Sequence, residues 1–338
     1  MKRICLLAGV SMSSQLLNAH PWYGMDARLL SDLGYEVRVS ATPRDMRWDA
    51  DIYFAWWPTT GAAAALLATA KRRPFIQVAG ATSLVYEYRG LEREFGFVAQ
   101  SLAKKIAIRT SLWLADWVLA ISEHTMEQVA RFGAQRIRTV PLAIDTDKYT
   151  LGIAGRTRTI ACVATQLSQV YLRRKQLDPV IRALGILRRR GDDLSLAIAG
   201  RYGDAVDHLR AVAREEGVSE AVTFLGVISE EDKVALLRTA FAYAQPTLHE
   251  NFGVAIAEAM SCGTPVISSP VGSVPEVLAD CGLYADPQDH EQLAHGLRRL
   301  LKEPGLYQDL QARGRARIVE HYTPARRREL FKEVLSSL

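Results

Sequence analysis

The sequence predicts an α/β protein made of two doubly wound domains, each a parallel sheet wrapped by helices. Three observations predict it. Strand-length apolar runs alternate with helix-periodic segments along the whole chain. The alternation breaks once, between Pro141 and Arg158. The length of 338 residues also exceeds the roughly 250–300 at which one core stops growing efficiently.

In the first series, Ile4–Ala8, Glu36–Ser40, Ile52–Trp56, Phe75–Ala79, Trp117–Ile121 and Ile137–Val140 have strand length and β-branched content. The segments between them place apolar residues three and four apart, which is βαβ spacing. Lys2 and Arg3 ahead of Ile4–Val10 imitate a short signal peptide, but seven apolar residues opening a domain fit a buried first strand. From Pro141 to Arg158, Pro141, Asp145, Asp147, Gly152 and Gly155 cluster without periodicity and mark a linker. The second series runs Thr159–Ala164, Leu194–Ala199, Val222–Leu225, Phe241–Gln245, Pro265–Ser269 and Leu283–Ala285. The expected organisation is a domain over 1–150, a second over 151–310, and a helical tail over 311–338 returning toward the first. In the tail Arg326, Arg327 and Arg328 precede Leu330, Phe331, Val334 and Leu335, an apolar edge for docking. Ligands of such sheets bind beyond the carboxyl ends of the strands, so the expected site is a cleft between the two domains.

Composition narrows the function. With 49% hydrophobic and 23% charged residues the chain is neither disordered nor fibrous. The net charge of +5, concentrated in the first 150 residues, suits small anionic ligands or an acidic membrane surface better than nucleic acid, which demands a denser basic stripe. No apolar run reaches the ~20 residues that span a bilayer. Cys5, Cys162, Cys262 and Cys281 have neither CxxC spacing nor a disulfide framework and read as buried thiols of a reducing cytosol.

The densest chemical signal is Gln245–Leu278, QPTLHENFGVAIAEAMSCGTPVISSPVGSVPEVL. A strand ends at Gln245–Pro246, a polar loop carries His249, Glu250 and Asn251, and Gly253 opens a helix holding Glu258. A helix N-terminus reached through glycine offers unsatisfied amides and a positive dipole end to a phosphate. The two carboxylates flank that cradle and suit hydroxyl-rich groups on either side. Glu258 lies among Val254, Ala255, Ile256, Ala257, Ala259 and Met260, where an unpaired carboxylate is costly. His249 and Cys262 read as structural.

The Glu-x7-Glu pair Glu250…Glu258 in ENFGVAIAEAMSCGTPVI, followed by VGSVPEVL, resembles the donor site of retaining glycosyltransferases of family 4, which have the two-domain GT-B fold. GYEVRVSA at 34–41, ADWVLAIS at 115–122, VPLAIDTDKY at 140–149, KQLDPVIRA at 175–183 and TFLGVISEED at 223–232 resemble the same family in the same order. The resemblance implies transfer of a sugar from a nucleoside-diphosphate sugar to a glycan, lipid or small-molecule acceptor, with retention and without a metal or other cofactor, in polysaccharide or cell-envelope biosynthesis. It gives Glu258 the ribose hydroxyls and Glu250 the transferring sugar. Backbone amides near Gly253 and Val254 take the diphosphate, Asn251 and Phe252 are further donor-binding residues, Lys175 adds positive charge, and Gly226–Val227 pack on the base. The mechanism implied is front-face attack, in which a donor phosphate oxygen helps accept the acceptor proton.

Two positions depart from the family pattern. Gln166-Leu167 stands where Arg-Leu is common, so one diphosphate cation is missing, and Arg173 and Arg174 are the expected replacements. Ala79-Gly80 stands where His-Gly is common, leaving Thr82, Ser83 and Glu87 as the acceptor-side polar groups. A non-catalytic nucleotide-sugar-binding subunit and a nucleotide-sugar epimerase are the rival readings. Peripheral contact with an acidic membrane, at a cytoplasmic surface, is expected from Lys71, Arg72, Arg73, Lys104, Lys105 and Arg109 beside Leu102, Ile106, Trp113 and Trp117.

Overall fold

The structure, a computed structural model, describes residues 1–10, 21–85, 91, 93–152 and 155–338. The chain divides into two compact units, Met1–Ala143 with Pro324–Leu338, and Ile144–Thr323.

The first unit is a parallel sheet of β1 (Arg3–Leu7), β2 (Glu36–Ser40), β3 (Ile52–Ala55), β4 (Phe75–Ala79), β5 (Trp117–Ala120) and β6 (Ile137–Thr139), in the order β2-β1-β3-β4-β5-β6. Every residue of β3 and β4 is buried, as expected of parallel strands covered on both faces, whereas the edge strand β2 alternates. Its helices include α1 (Tyr23–Asp32), α2 (Pro58–Lys71), α3 (Leu102–Leu114) and α4 (Glu123–Ala130). Pro58 sits in the first turn of α2, where its missing N–H costs nothing, and Ser101 and Ser122 cap α3 and α4. Gly61 lets α2 close onto β4: a Cβ there would lie 2.0 Å from Gln77 Oε1. That oxygen accepts a hydrogen bond of 2.5 Å from the Ser111 hydroxyl of α3.

The second unit repeats the plan with β7 (Thr159–Leu167), α5 (Gln169–Lys175), α6 (Leu177–Arg189), β8 (Ser195–Tyr202), α7 (Val206–Glu215), β9 (Val222–Gly226), α8 (Glu230–Thr239), β10 (Ala242–Gln245), α9 (Val254–Ser261), β11 (Val266–Ser268), α10 (Val274–Leu278), β12 (Leu283–Tyr284), α11 (His290–Lys302) and α12 (Pro304–His321). Its sheet runs β12-β11-β10-β7-β8-β9, so the chain direction across the sheet reverses between β7 and β10. Strands β7 and β8 run three residues past the apolar segments seen in the sequence. A register irregularity between Val163 and Gln166 carries the pairing on to Gln166↔Arg201, both polar, and then to Leu167↔Tyr202.

The first unit is completed by α13 (Pro324–Ser336). Here the run of three arginines is not uniformly solvated. Arg327 is 2% exposed, grips both carboxylate oxygens of Asp26 at 2.7 and 2.9 Å, and donates to the carbonyls of Val140 and Pro141. Phe331 packs edge-on against Phe54, their ring centroids 5.8 Å apart.

The aperiodic stretch after Pro141 is held closely by the second unit from Ile144 onward. The Ile144 amide donates to Tyr322, and Arg315 of α12 donates to the carbonyls of Thr146, Tyr149 and Ser261. Arg156 donates to the carbonyls of Ala240, Cys262 and Gly263.

Candidate active site

The crevice beside the β7/β10 switch point is where an open α/β sheet leaves room for a ligand, and the second unit gathers its charged, buried side chains there. Helix α5, following β7, delivers Arg174 and Lys175, while the loop after β10 delivers Glu250 and α9 delivers Glu258. The end of α5 is tied to that loop: the Arg174 carbonyl accepts from the Leu248 amide at 2.8 Å and from the Thr247 hydroxyl at 3.1 Å. On the other side the Glu250 carbonyl accepts from the Ser273 amide and hydroxyl at 3.0 and 3.1 Å. Gly272, in the left-handed region at φ +55°, makes this approach possible, because a Cβ would lie 2.2 Å from the Glu250 carbonyl oxygen. Gly253, at φ +85°, turns the chain into α9, so the amides of its first turn face outward along the axis.

Glu250 is buried. Its Oε1 accepts from Lys175 Nζ and, at 2.9 Å, from Gln245 Nε2, with Arg174 Nη1 3.7 Å away. Burial alone would push this carboxyl up, but Lys175 and Arg174 outweigh it and hold the group below its ordinary value, ionised. Gln245 is oriented in turn by the Tyr243 hydroxyl, which donates to Gln245 Oε1 at 2.6 Å.

Glu258 has a different surrounding. Its Oε1 accepts from Lys233 Nζ at 2.9 Å, and the same ammonium lies 3.1 Å from Glu230. The Tyr149 hydroxyl donates to Glu230 at 2.5 Å, and its ring lies 5.3 Å beneath Lys233. Burial raises the Glu258 carboxyl more than Lys233 and the Tyr149 hydroxyl lower it, and Glu230 adds a lesser repulsion. Lys233 itself is raised, because two carboxylates outweigh the cost of its burial. One ammonium thus serves two acids.

The remaining expected residues are distributed as follows. Asn251 is buried, with Oδ1 2.8 Å from His249 Nε2, so His249 fixes the loop. Phe252 is 3% exposed and packs on Tyr322, so its ring is part of the core beside the cradle. Val254 is the half-buried first residue of α9. Arg173 stands on the exposed side of α5, away from the buried face that carries Lys175. Gln166 is half-buried near the end of β7. Gly226 ends β9 at φ +67°, above the ring of Tyr202, and Val227 is 74% exposed. In the first unit Thr82 and Ser83 lie in a short 3-10 turn after β4, and Glu87 lies outside the described residues.

Sequence reading missed Gln245, Tyr149, Glu230 and Lys233. The last three fall inside or just after the stretches VPLAIDTDKY and TFLGVISEED, so their neighbourhood was flagged, but their convergence on Glu258 requires the folded chain. Among the described residues no three His, Cys, Asp or Glu side chains come together in a way that could hold a metal ion. No helix among them is long and apolar enough to cross a membrane.

Residues 165–317 match the family model described as Glycosyl transferases group 1. The chain is 31% identical over 250 residues to the GDP-mannose-dependent alpha-(1-6)-phosphatidylinositol dimannoside mannosyltransferase of Mycobacterium tuberculosis, a stretch that covers 71% of this chain and 64% of that protein. It is 29% identical over 323 residues to the corresponding monomannoside mannosyltransferase of Mycolicibacterium smegmatis, covering 89% and 81%. Its fold is similar to that of Anabaena HepE in complex with UDP and glucose, with a TM-score of 0.78 over the whole of both chains at 17% identity. The two six-stranded parallel sheets are those of the GT-B architecture, and residues 165–317, which carry both buried acid clusters, are a Glycosyl transferases group 1 domain.

Proposed function

We propose that the protein is a glycosyltransferase that moves a sugar from a nucleoside-diphosphate sugar to a glycan or lipid acceptor, with retention of configuration and without a metal ion. The observation that supports this reading best is the pair of buried carboxylates, Glu250 and Glu258, each held by its own lysine on either side of the N-terminus of α9. Glu258 is the acceptor for ribose hydroxyls and Glu250 for hydroxyls of the transferring sugar. The amides opening α9, with Lys175 and Arg174, take the diphosphate. These cations and the helix dipole stabilise the negative charge that grows on the leaving group. A diphosphate brings a second anion to Lys175 and Arg174, and Gln245 remains to hold Glu250 in place. Thr82, Ser83 and Glu87 are the proposed acceptor-side groups.

Relatives named as GDP-mannose-dependent mannosyltransferases make GDP-mannose the first donor to test. The protein is incubated in EDTA with GDP-mannose or UDP-glucose and with phosphoinositol mannosides or a crude membrane glycan fraction. An α-mannoside or α-glucoside product, assigned by NMR, is the expected result. Epimerised donor, binding without turnover, or an inverted product would each replace this reading with another.

Peripheral attachment to an acidic membrane is a second element of the proposal. Leu102, Ile106 and Trp113 of α3 are 74, 57 and 65% exposed, and residues 102, 106 and 113 fall on one helical face beside Lys104, Lys105 and Arg109, whereas Trp117, expected on that face, lies past the helix end and opens β5.

A further inference from the structure

We infer that Arg201, on the strand next to Gln166, supplies the positive charge to the nucleoside diphosphate that Gln166 lacks; this rests on the donor-site reading above. Gln166 and Arg201 are Cα partners near the carboxyl ends of the parallel strands β7 and β8, followed by the pair Leu167↔Tyr202. Successive residues of a strand point to opposite faces, and partners in register share a face. Leu167 is buried in the core cluster that also holds Cys162, Ala164, Leu209 and Val212. Tyr202 lies on that same side, with Arg210 of α7 6.0 Å over its ring. Gln166 and Arg201 therefore belong to the other face.

That other face is the one that carries the site. Next to β7, Ala242 and Ala244 of β10 join the same core cluster, while Tyr243 and Gln245 alternate to the opposite side, where Gln245 binds Glu250. The Tyr243 hydroxyl reaches the Val163 carbonyl of β7 at 3.5 Å, which links the two strands on this side.

The local backbone is built to bring the two strand ends together. Arg201 lies between Gly200 and Gly203, and a Cβ at either glycine would lie 2.8 Å from a β7 carbonyl, that of Ala164 or of Leu167. Arg201 is exposed, and no ion pair among the described residues engages it. Of the two replacements suggested by sequence order, Arg173 stands on the outer side of α5 and Arg174 lies beside Glu250. The cation absent from one strand end is present on its neighbour.

The test measures Kd for GDP and UDP, and for guanosine and uridine, by calorimetry on the whole protein. Arg201→Ala should weaken whichever diphosphate binds the wild type by about 10-fold or more, since a hydrogen bond to a charged group is worth that much, and should leave the nucleoside unchanged. Adding Gln166→Arg to Arg201→Ala should restore diphosphate affinity, which a merely misfolded variant could not show. Arg210→Ala, which removes an equal charge from the opposite face, should change nothing. Unaltered diphosphate affinity in Arg201→Ala, equal losses for nucleoside and diphosphate, or no rescue by Gln166→Arg would overturn the role of Arg201 while leaving the donor site standing. A wild-type protein that binds neither diphosphate would overturn both.

Discussion

Glu250 and Glu258 are both buried glutamates beside lysines, yet their protonation is biased in opposite directions, and stability should register the difference. The folded-state value of Glu250 is lowered. Its contribution is therefore fully present above the ordinary 4.5 and lost as pH falls through the lowered value. Glu258 is raised, so ionised Glu258 burdens the fold at neutral pH, and that burden disappears as the group protonates in acid. Glu258→Gln should accordingly melt no lower than wild type at pH 7, because Lys233 keeps Glu230, while losing roughly 1.5–3 kcal/mol of donor binding, about 10- to 150-fold. Calorimetric melting across pH 4 to 8 beside nucleotide titration checks both halves, and a lower melting temperature at pH 7 with intact binding would contradict them. Lys175→Ala should be the reverse case. It leaves Glu250 buried with only Gln245 and a more distant Arg174, costing about 3–5 kcal/mol of stability. It should also lower kcat/KM on the order of 100-fold, with kcat falling more than donor affinity because charge builds in the transition state. Lys175→Met combined with Glu250→Gln should recover most of the stability and none of the turnover, as urea unfolding and steady-state rates would show.

At the scale of elements, the geometry of the loop before α9 depends on a glycine outside it. Gly272→Ala places a methyl group against the Glu250 carbonyl and forces a left-handed residue to carry a side chain. It should cost about 2 kcal/mol or more and reduce turnover by displacing Glu250. Gly191→Ala, also left-handed at φ +80° but facing open space, should cost only about 1 kcal/mol and leave turnover unchanged. Equal effects of the two substitutions would mean that the close approach to Glu250 is unimportant. Helix α3 makes a separate prediction. Leu102→Ser, Ile106→Ser and Trp113→Ser together should abolish salt-sensitive sedimentation with vesicles containing phosphatidylserine while the donor is still bound. Equal recovery of wild type on neutral and acidic vesicles at low salt would remove the membrane from the account.

For the molecule as a whole, the sheets were legible because parallel strands buried on both faces are written as largely apolar runs; β3 is wholly apolar, and β4 and β10 each carry one glutamine, Gln77 and Gln245. The ends of β7 and β8 were not, since Gln166 and Arg201 are polar and pair only after an irregularity of register. The carboxylates of the site were legible from their spacing around Gly253. Their partners were not, because Lys233 meets Glu258 across 25 positions and Lys175 meets Glu250 across 75. The sequence expectation began the tail at 311, but α12, to His321, lies within Ile144–Thr323, and the chain returns to the first unit only at Pro324. Pro324, a helix-opening proline, was the signal for that break.

The buried pair Asp26–Arg327 joins residues 301 positions apart, and this fixes an order of assembly on the ribosome. When residue 323 has emerged, every strand and helix of the second unit is available, whereas the first unit has six strands, an unpaired acid at Asp26 and no cover for Phe54. The unit made first is finished last. Nascent chains stalled after residue 323, with a tunnel-length extension, should therefore resist protease across 144–323 and be cut within 1–143, and a synthetic 324–338 peptide should protect the sensitive part. Uniform resistance of both halves before residue 324 is exposed would show that α13 only decorates a unit already folded.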